Sequence, residues 1–494
     1  VKKSAALLLI FLATTSVAAA QEGALQLTLK GAIKSALEKN LDLKAELYTP
    51  AQFEADVRKN RAIYEPHLTL NTSYHDSRPY SPALHGGYDQ STLNITPGAF
   101  QLLPSGGTID LAYQNAQQKN STVAPLGSYW TSSLLLSLNQ PLLKNFGKET
   151  TELNIRVAEL SREGSLNRLK SVILATVAQV SSEYYKLGSF RQDLESKKIS
   201  LELARKIYTD TEARVRAGVI PAMETLNAQY GVSLREKDII DAEKAVRDQV
   251  DILGQLLQLG KVEDIIPIDT PDKSPYTVNE EDAVRRAVAN RPELEELQSQ
   301  LRVAELQTRV TKRQILPSLN FSASAGFAGL DSAYGRNSER LGSLDYPLWS
   351  VGLQFDYPLG NESAENDYVK SRLKTEQLRT QLESQISQLT SEVRIAIRSV
   401  QSAFKLLDVT DRARLYADER LKAYIRKSEV GLATNKDVLD VENDLAAART
   451  NQIKAQLAYS TALSQLWKST GELLEKEGIT VDDEKSARLY KGAR

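Results

Sequence analysis

Residues 64–74 read YEPHLTLNTSY, and residues 315–327 read ILPSLNFSASAGF. Each stretch follows a charged run with helical spacing. Each then turns, at a proline, into alternating apolar and polar residues. The two prolines, Pro66 and Pro317, stand 251 positions apart. A chain that makes the same helix-to-strand switch twice, at matching prolines, points to an internal duplication.

The register extends outward from the prolines. Residues 27–74 lie on residues 278–325 without a gap: Ala32 meets Ala283, Ala36 meets Ala287, Leu43 meets Leu294 and Arg58 meets Arg309. A second register, offset by 213, relates GVIPAMETLNAQ from Gly218 to GLATNKDVLDVE from Gly431. Gly218 matches Gly431, Val219 matches Leu432, and Glu224 matches Asp437. The offset falls because the first half has the longer segment between its strands. The expected organisation is a first repeat over 21–260, a linker over 261–276, a second repeat over 277–474 and a charged tail over 475–494.

Each repeat reads in one order: a short helix, a second helix running to the proline, strands, a very long helix, a glycine turn and a returning helix. Leu166, Leu169, Ile173, Val177, Val180, Tyr184 and Leu187 are spaced by three or four. So are Leu378, Leu382, Ile386, Leu389, Val393, Ile397 and Val400. Such stripes predict coiled-coil-like packing. A helix from about Glu149 to Ala217 is ~100 Å long at 1.5 Å per residue. The helical hairpins are expected over about 147–259 and 362–473.

The strands argue against a simple rod. Over about 67–141 and 318–358, Leu68 and Leu70 alternate with Thr69 and Asn71, while Val351, Leu353 and Phe355 alternate with Gly352 and Gln354. Strands of ~9–11 residues, tilted by ~45°, cross a bilayer's hydrocarbon layer. Trp130 and Trp349 each open the last strand of their half, about ten residues before Pro141 or Pro358, and tryptophan favours a membrane–water interface. Between the first-half strands, LPSGGTIDLAYQNAQ reads as a turn and an additional strand.

Composition agrees with long solvated helices. The 494 residues carry 62 basic and 63 acidic side chains, so no net field suggests nucleic acid as a partner. There is no cysteine, which excludes disulfides, thiol catalysis and a lipidated N-terminal cysteine. Residues 1–20, with Lys2 and Lys3 before an apolar run and Ala18–Ala20, read as a secretory signal cleaved after Ala20.

The chain resembles the TolC-type outer-membrane efflux and secretion channels. The resemblance rests on AIKSALEKNLDL with AVRRAVANRPEL, on Pro66 and Pro317, on NQPLL and DYPLG, and on the turns AGVIPAMETLNA and VGLATNKDVLDV. It implies an α+β membrane protein and a homotrimer. Each protomer would give four transmembrane strands to one shared β-barrel in outer-membrane lipid, and long periplasmic helical hairpins to an α-barrel. Pro66, Pro317, Pro141 and Pro358 would mark the junctions of the two. Gly218, Val219, Gly431 and Leu432 would lie at the hairpin tips against a periplasmic adaptor, itself joined to an inner-membrane transporter. Asp437 and Asp440, with Glu224, would line the periplasmic gate. The arginine and tyrosine that tie the closed end in some members are replaced by Ala433 and Ser428, so those links are not expected. The duct would serve efflux or type I secretion, without a cofactor.

Two other functions are considered. His67, His75 and His85 cluster in the first-half strand region, but no metal-ligand spacing such as HExxH accompanies them, so catalysis is not expected. A periplasmic adaptor or structural coiled coil would also have helical hairpins, normally one per chain.

Overall fold

In this computed structural model the described residues are 25–81, 86–120, 127–260, 264–269, 273–481 and 484–493. The signal-like segment and His85 lie outside them. The first repeat opens with β1 (Leu25–Leu27), α1 (Leu29–Lys39) and α2 (Leu41–Arg61), followed by a single 3-10 turn at Ala62–Tyr64. Strands β2 (His67–Ser77), β3 (Tyr80–Ser81), β4 (Gly86–Gly87), β5 (Gln90–Leu102), β6 (Thr108–Asn120) and β7 (Ser128–Pro141) follow. Helices α3 (Lys148–Thr151), α4 (Leu153–Arg216) and α5 (Met223–Leu257) complete that repeat, and β8 (Ile265–Pro267) comes next. The second repeat holds α6 (Glu280–Asn290), α7 (Pro292–Gln314), β9 (Ser318–Asp331), α8 (Tyr334–Gly342), β10 (Pro347–Asp356), α9 (Glu362–Glu429) and α10 (Asn435–Ser469). Short α11 (Leu473–Lys476) and α12 (Glu484–Ala493) follow it.

Helix starts carry their own signals. The Asn279 side chain accepts from the N–H groups of Glu281 and Asp282, and Glu280, Glu281 and Asp282 sit in the first turn of α6, where the helix dipole favours anions. Pro292 opens α7 at a position that needs no N–H. The predicted stripes are largely inside: Leu169, Val177, Val180, Tyr184 and Leu187 on α4 are buried, as are Leu389, Val393, Ile397 and Val400 on α9.

Two compact units form, and they cut across the sequence repeats. One comprises residues up to Asn40, Thr176–Thr277 and Arg398–Leu466; the other comprises Leu41–Ala175, Val278–Ile397 and residues from Trp467. The first holds the parallel pair β1–β8, with Leu25 opposite Ile265. The expected linker is thus partly a strand. It is anchored by Tyr184, whose hydroxyl lies 2.8 Å from both Leu27 O and Asp269 Oδ2. The second unit holds the main sheet and α12, which packs on α2 with Arg58 over the Tyr490 ring. The charged tail therefore includes a docked helix.

The main sheet runs β10-β9-β7-β6-β5-β2, antiparallel throughout. Four barrel strands per protomer are expected from the sequence, and the main sheet has six among the described residues. The additional strand read from LPSGGTIDLAYQNAQ is β6, and β5 was not anticipated. Pro97 and Gly98 sit inside β5 and disguise it, since proline cannot donate to a ladder and glycine weakens a strand. The β5–β6 ladder keeps one register on both sides of Pro97, from Ile95↔Asn115 to Gly98↔Ala112. Helix α8, also unanticipated, packs on β9 and β7. Its buried Asn337 donates to Ser132 Oγ at 2.5 Å, and Ser132 in turn bonds Asn115.

The duplication is visible in how the returning helices stop. After α5, Gln258 takes φ +50°, its N–H reaches Gln255 O, and the Leu259 N–H reaches Gly254 O. After α10, Gly471 takes φ +75° with the matching bonds to Lys468 O and from Glu472 to Trp467 O. Both are Schellman ends. Asn40 Nδ2 holds Leu256 O at 3.1 Å, while its counterpart Arg291 holds Ser469 O at 3.3 Å. A Cβ on Gly471 would lie 2.9 Å from Asn290 Cβ, whereas one on Gly478, also at positive φ, meets nothing within 4 Å. Gly471→Ala should therefore lower the melting temperature by more than Gly478→Ala, whose loss is limited to the ~1–2 kcal/mol of left-handed backbone. Equal shifts for the two variants would refute the contact argument.

Candidate functional site

Both hairpin turns are built the same way. At Gly218 (φ +72°) the glycine N–H bonds Val215 O and the Val219 N–H bonds Arg214 O. At Gly431 (φ +77°) the bonds run to Ser428 O and from Leu432 to Lys427 O. In such an end the residue after the glycine commonly packs back on an apolar side chain of its own helix. Here that position faces Arg214 or Lys427, and Val219 and Leu432 stay 70% and 78% exposed. Met223, Leu226, Tyr230 and Val430 nearby in sequence are exposed as well. The turns thus present bare apolar side chains beside glycines that have open space around them.

The three acidic residues differ. Thr434 and Asp437 form a capping box at the start of α10: Asp437 Oδ2 accepts from Thr434 N at 2.8 Å and from Thr434 Oγ1 at 2.7 Å, and the Asp437 N–H returns to Thr434 Oγ1 at 3.2 Å. Hydrogen bonds from the Thr434 hydroxyl and N–H hold its carboxyl below the usual range. In the first repeat Pro221 stands where Thr434 stands, so Glu224 has no such partner, and its Oε2 makes no hydrogen bond among the described residues. Asp440, three residues after Asp437, is exposed, and its side chain makes no hydrogen bond or ion pair among the described residues.

Two hydrogen bonds join the residues beside the two turns. Arg214 Nη1 donates to Ser428 O at 3.0 Å, and Asn435 Nδ2 donates to Thr211 Oγ1 at 2.7 Å. Deeper in, Arg235 of α5 meets Glu442 of α10: Nη2 lies 2.5 Å and Nε 3.1 Å from Oε2. Asp238 Oδ2 is 3.2 Å from Nη1, and Asn443 Oδ1 also accepts from Arg235. Glu442 is 2% exposed and lies beside a buried cluster of Leu421, Val438, Val441 and Leu445. This pair was not singled out from sequence. Its signal is a carboxylate within an apolar stripe, four residues after Val438.

The prolines lie at the ends of the main sheet. Pro66 precedes β2 and Pro317 precedes β9; Pro141 ends β7 and Pro358 stands two residues beyond β10. The tryptophans do not share a level. Trp130 pairs with Asp331 and Trp349 with Ala325, six residues apart along β9. Trp349 is 79% exposed, whereas Trp130 packs edge-on against Tyr334 at 5.1 Å. His67 stacks on Phe100, and no group of histidines and carboxylates among the described residues could hold a metal ion.

The sequence profile described as outer membrane efflux protein matches residues 32–257 and 283–472, one segment in each repeat. The chain belongs to the outer membrane efflux protein family. Outer membrane efflux protein BepC of Brucella suis is 22% identical over 390 residues, covering 74% of this chain and 77% of BepC. The probable efflux pump outer membrane protein TtgC of Pseudomonas putida is 21% identical, covering 61% of each chain. Among solved structures, the CusC transmembrane channel superposes with a TM-score of 0.68 at 16% identity, covering 90% of this chain and 92% of CusC. The Campylobacter jejuni CmeC outer membrane channel gives 0.66 at 13%, covering 94% and 89%. As a member of the outer membrane efflux protein family, the chain is an efflux channel of the outer membrane, with the α+β fold of these channels. The adaptor and structural-rod readings are set aside. No described helix is long and apolar enough to cross a membrane.

Proposed function

We propose that three copies of the chain assemble into a passive exit duct of a tripartite efflux pump. It is joined at the hairpin turns to a periplasmic adaptor and through it to an inner-membrane transporter. The observation that carries this reading is the main sheet: one face is apolar and both edge strands lack partners among the described residues. Open edges cannot rest in lipid, so copies must close the sheet. Cross-linking in mild detergent is expected to stop at three protomers. A stable monomer in the extracted membrane fraction would overturn the assembly. No glycine-rich phosphate loop follows a strand in the sequence, so energy comes from a partner.

The acids after the Gly431 turn complete the gate in this reading. Asp437 and Asp440 share one face of α10, and threefold symmetry makes rings of them. Rings of carboxylates attract cations and repel anions. The cap favours the ionised form of Asp437, so both acids contribute, and Glu224 adds a further ring. Asp437→Ala with Asp440→Ala should lower the cation-to-anion permeability ratio in planar bilayers and weaken block by trivalent cations. An unchanged ratio and unchanged block would place both acids outside the lumen. The cap adds a pH dependence of known sign. The carboxyl of Asp437 is lowered in the folded chain, so its support of the first turn is full above the ordinary aspartate value of ~3.9. That support fades as pH falls through the lowered value.

A further inference from the structure

Hairpin β5–β6 is spliced between β2 and β7 and paired along both of its sides. β2 runs with β5 from His67↔Phe100 to Ser77↔Gln90, and β6 runs with β7 from Thr108↔Asn139 to Lys119↔Ser128. A single row of opposed residues crosses the whole sheet: Leu68, Ala99, Leu111, Leu136, Ala325 and Trp349. Every member is apolar. A row on the other face runs His67, Phe100, Asp110, Ser137, Ser324 and Ser350, and is mostly polar. The spliced hairpin therefore continues the apolar face of its neighbours on one side and their polar face on the other. A plug or an external cap would not share both faces in register.

The two edges are matched for closure by a second copy. β2 starts next to Pro66 and runs away from the helices, while β10 runs back toward them and ends two residues before Pro358. They are 11 and 10 residues long. Laid edge to edge between copies they are antiparallel, like every other pair in the sheet.

We propose that the hairpin is part of the barrel wall, so that six strands from each of three copies make an eighteen-stranded barrel in place of the twelve-stranded one that four strands per chain would make. This rests on the trimer reading above. Barrel diameter grows roughly linearly with strand number, so the wall is about one and a half times as wide. Barrels of about 16–18 strands enclose an aqueous channel. The membrane section then does not restrict cargo, and selection falls to the hairpin end.

The absence of native cysteine makes the test direct. Leu111→Cys and, separately, Asp110→Cys in the full-length protein are labelled in lipid vesicles; Leu136→Cys on β7 serves as the reference. If the hairpin is in the wall, a fluorophore on the Leu111→Cys variant is quenched by brominated lipid as strongly as one on the Leu136→Cys variant. Of the three variants, only Asp110→Cys then reacts with a membrane-impermeant thiol reagent. Ile109→Cys, on the same face as Leu111, replaces Leu111→Cys if that variant fails to insert. A Leu111→Cys thiol that is water-reactive, with its fluorophore unquenched, overturns the proposal while leaving the trimer intact. Native mass and a Thr69→Cys/Gln354→Cys cross-link test the other half: a disulfide-linked trimer joins β2 to β10 of the next copy. A mass other than three copies refutes the trimer reading, and with it the count of eighteen, irrespective of the quenching result.

Discussion

Glu442→Ala should release the turn ends of the two helical hairpins from each other. Glu442 is 2% exposed and its partner Arg235 has 11% of its side chain exposed, so the pair is nearly dry. Removing the acid leaves a buried guanidinium with Asp238 at 3.2 Å and the Asn443 side chain as its remaining acceptors. Breaking a buried pair from one side costs about 3–5 kcal/mol, whereas replacing both members by apolar residues of similar volume is often neutral. Amide exchange in the first turns of α10 should therefore accelerate roughly 150- to 5000-fold, through local opening rather than global unfolding. Arg235→Met with Glu442→Leu should restore protection. The single variant should also hold the channel open for a larger share of a bilayer recording. A single variant that exchanges like the parent, or a double variant as loose as the single, would show that the clamp is not what holds the hairpins.

Gly431→Trp should abolish efflux while the trimer still assembles. A Cβ at Gly431 meets nothing within 4 Å in the chain itself, so no internal contact excludes a side chain. What requires glycine locally is the positive φ, a cost of ~1–2 kcal/mol for most residues and less for asparagine. Gly431→Asn keeps the turn and adds a small side chain. It should retain most transport. Tryptophan fills the space between the exposed Val430 and Leu432, where the adaptor is proposed to approach. Loss of efflux with the tryptophan variant, at parental levels of trimer and with the asparagine variant still active, is the expected pattern. Efflux retained by a correctly assembled Gly431→Trp trimer would remove the turn from the docking surface.

The architecture was largely legible because its signals are long or repeated. The stripes from Leu169 to Leu187 and from Leu389 to Val400 extend over several turns, and the 251-residue register doubles every observation around Pro66 and Pro317. What stayed hidden is short or self-contradictory. β5 carries Pro97 and Gly98, which argue locally against a strand that the ladders on either side nevertheless support. β8 spans three residues and has no periodicity to read. In the candidate site, the glycine turns were visible because only glycine accepts their φ cheaply. The Arg235–Glu442 clamp was not, since a charged residue in a helix is ordinarily solvated and only the packing of α5 beside α10 shows these two to be buried. Asp437 illustrates the reverse: its position at the start of α10 was legible, but its bonds to Thr434 form a capping box that was not.

The spliced hairpin bears on how such a conduit changes size over evolutionary time. A strand pair enters and leaves on the same side of the membrane, so inserting one disturbs neither the direction of the chain nor the ladder beyond it. A single strand would reverse everything that follows. Pore width is therefore inherited in discrete steps of one hairpin, and rotational symmetry multiplies each step by the number of copies. In the proposed barrel, the one hairpin between β2 and β7 enlarges by half the stretch of circumference that each chain contributes.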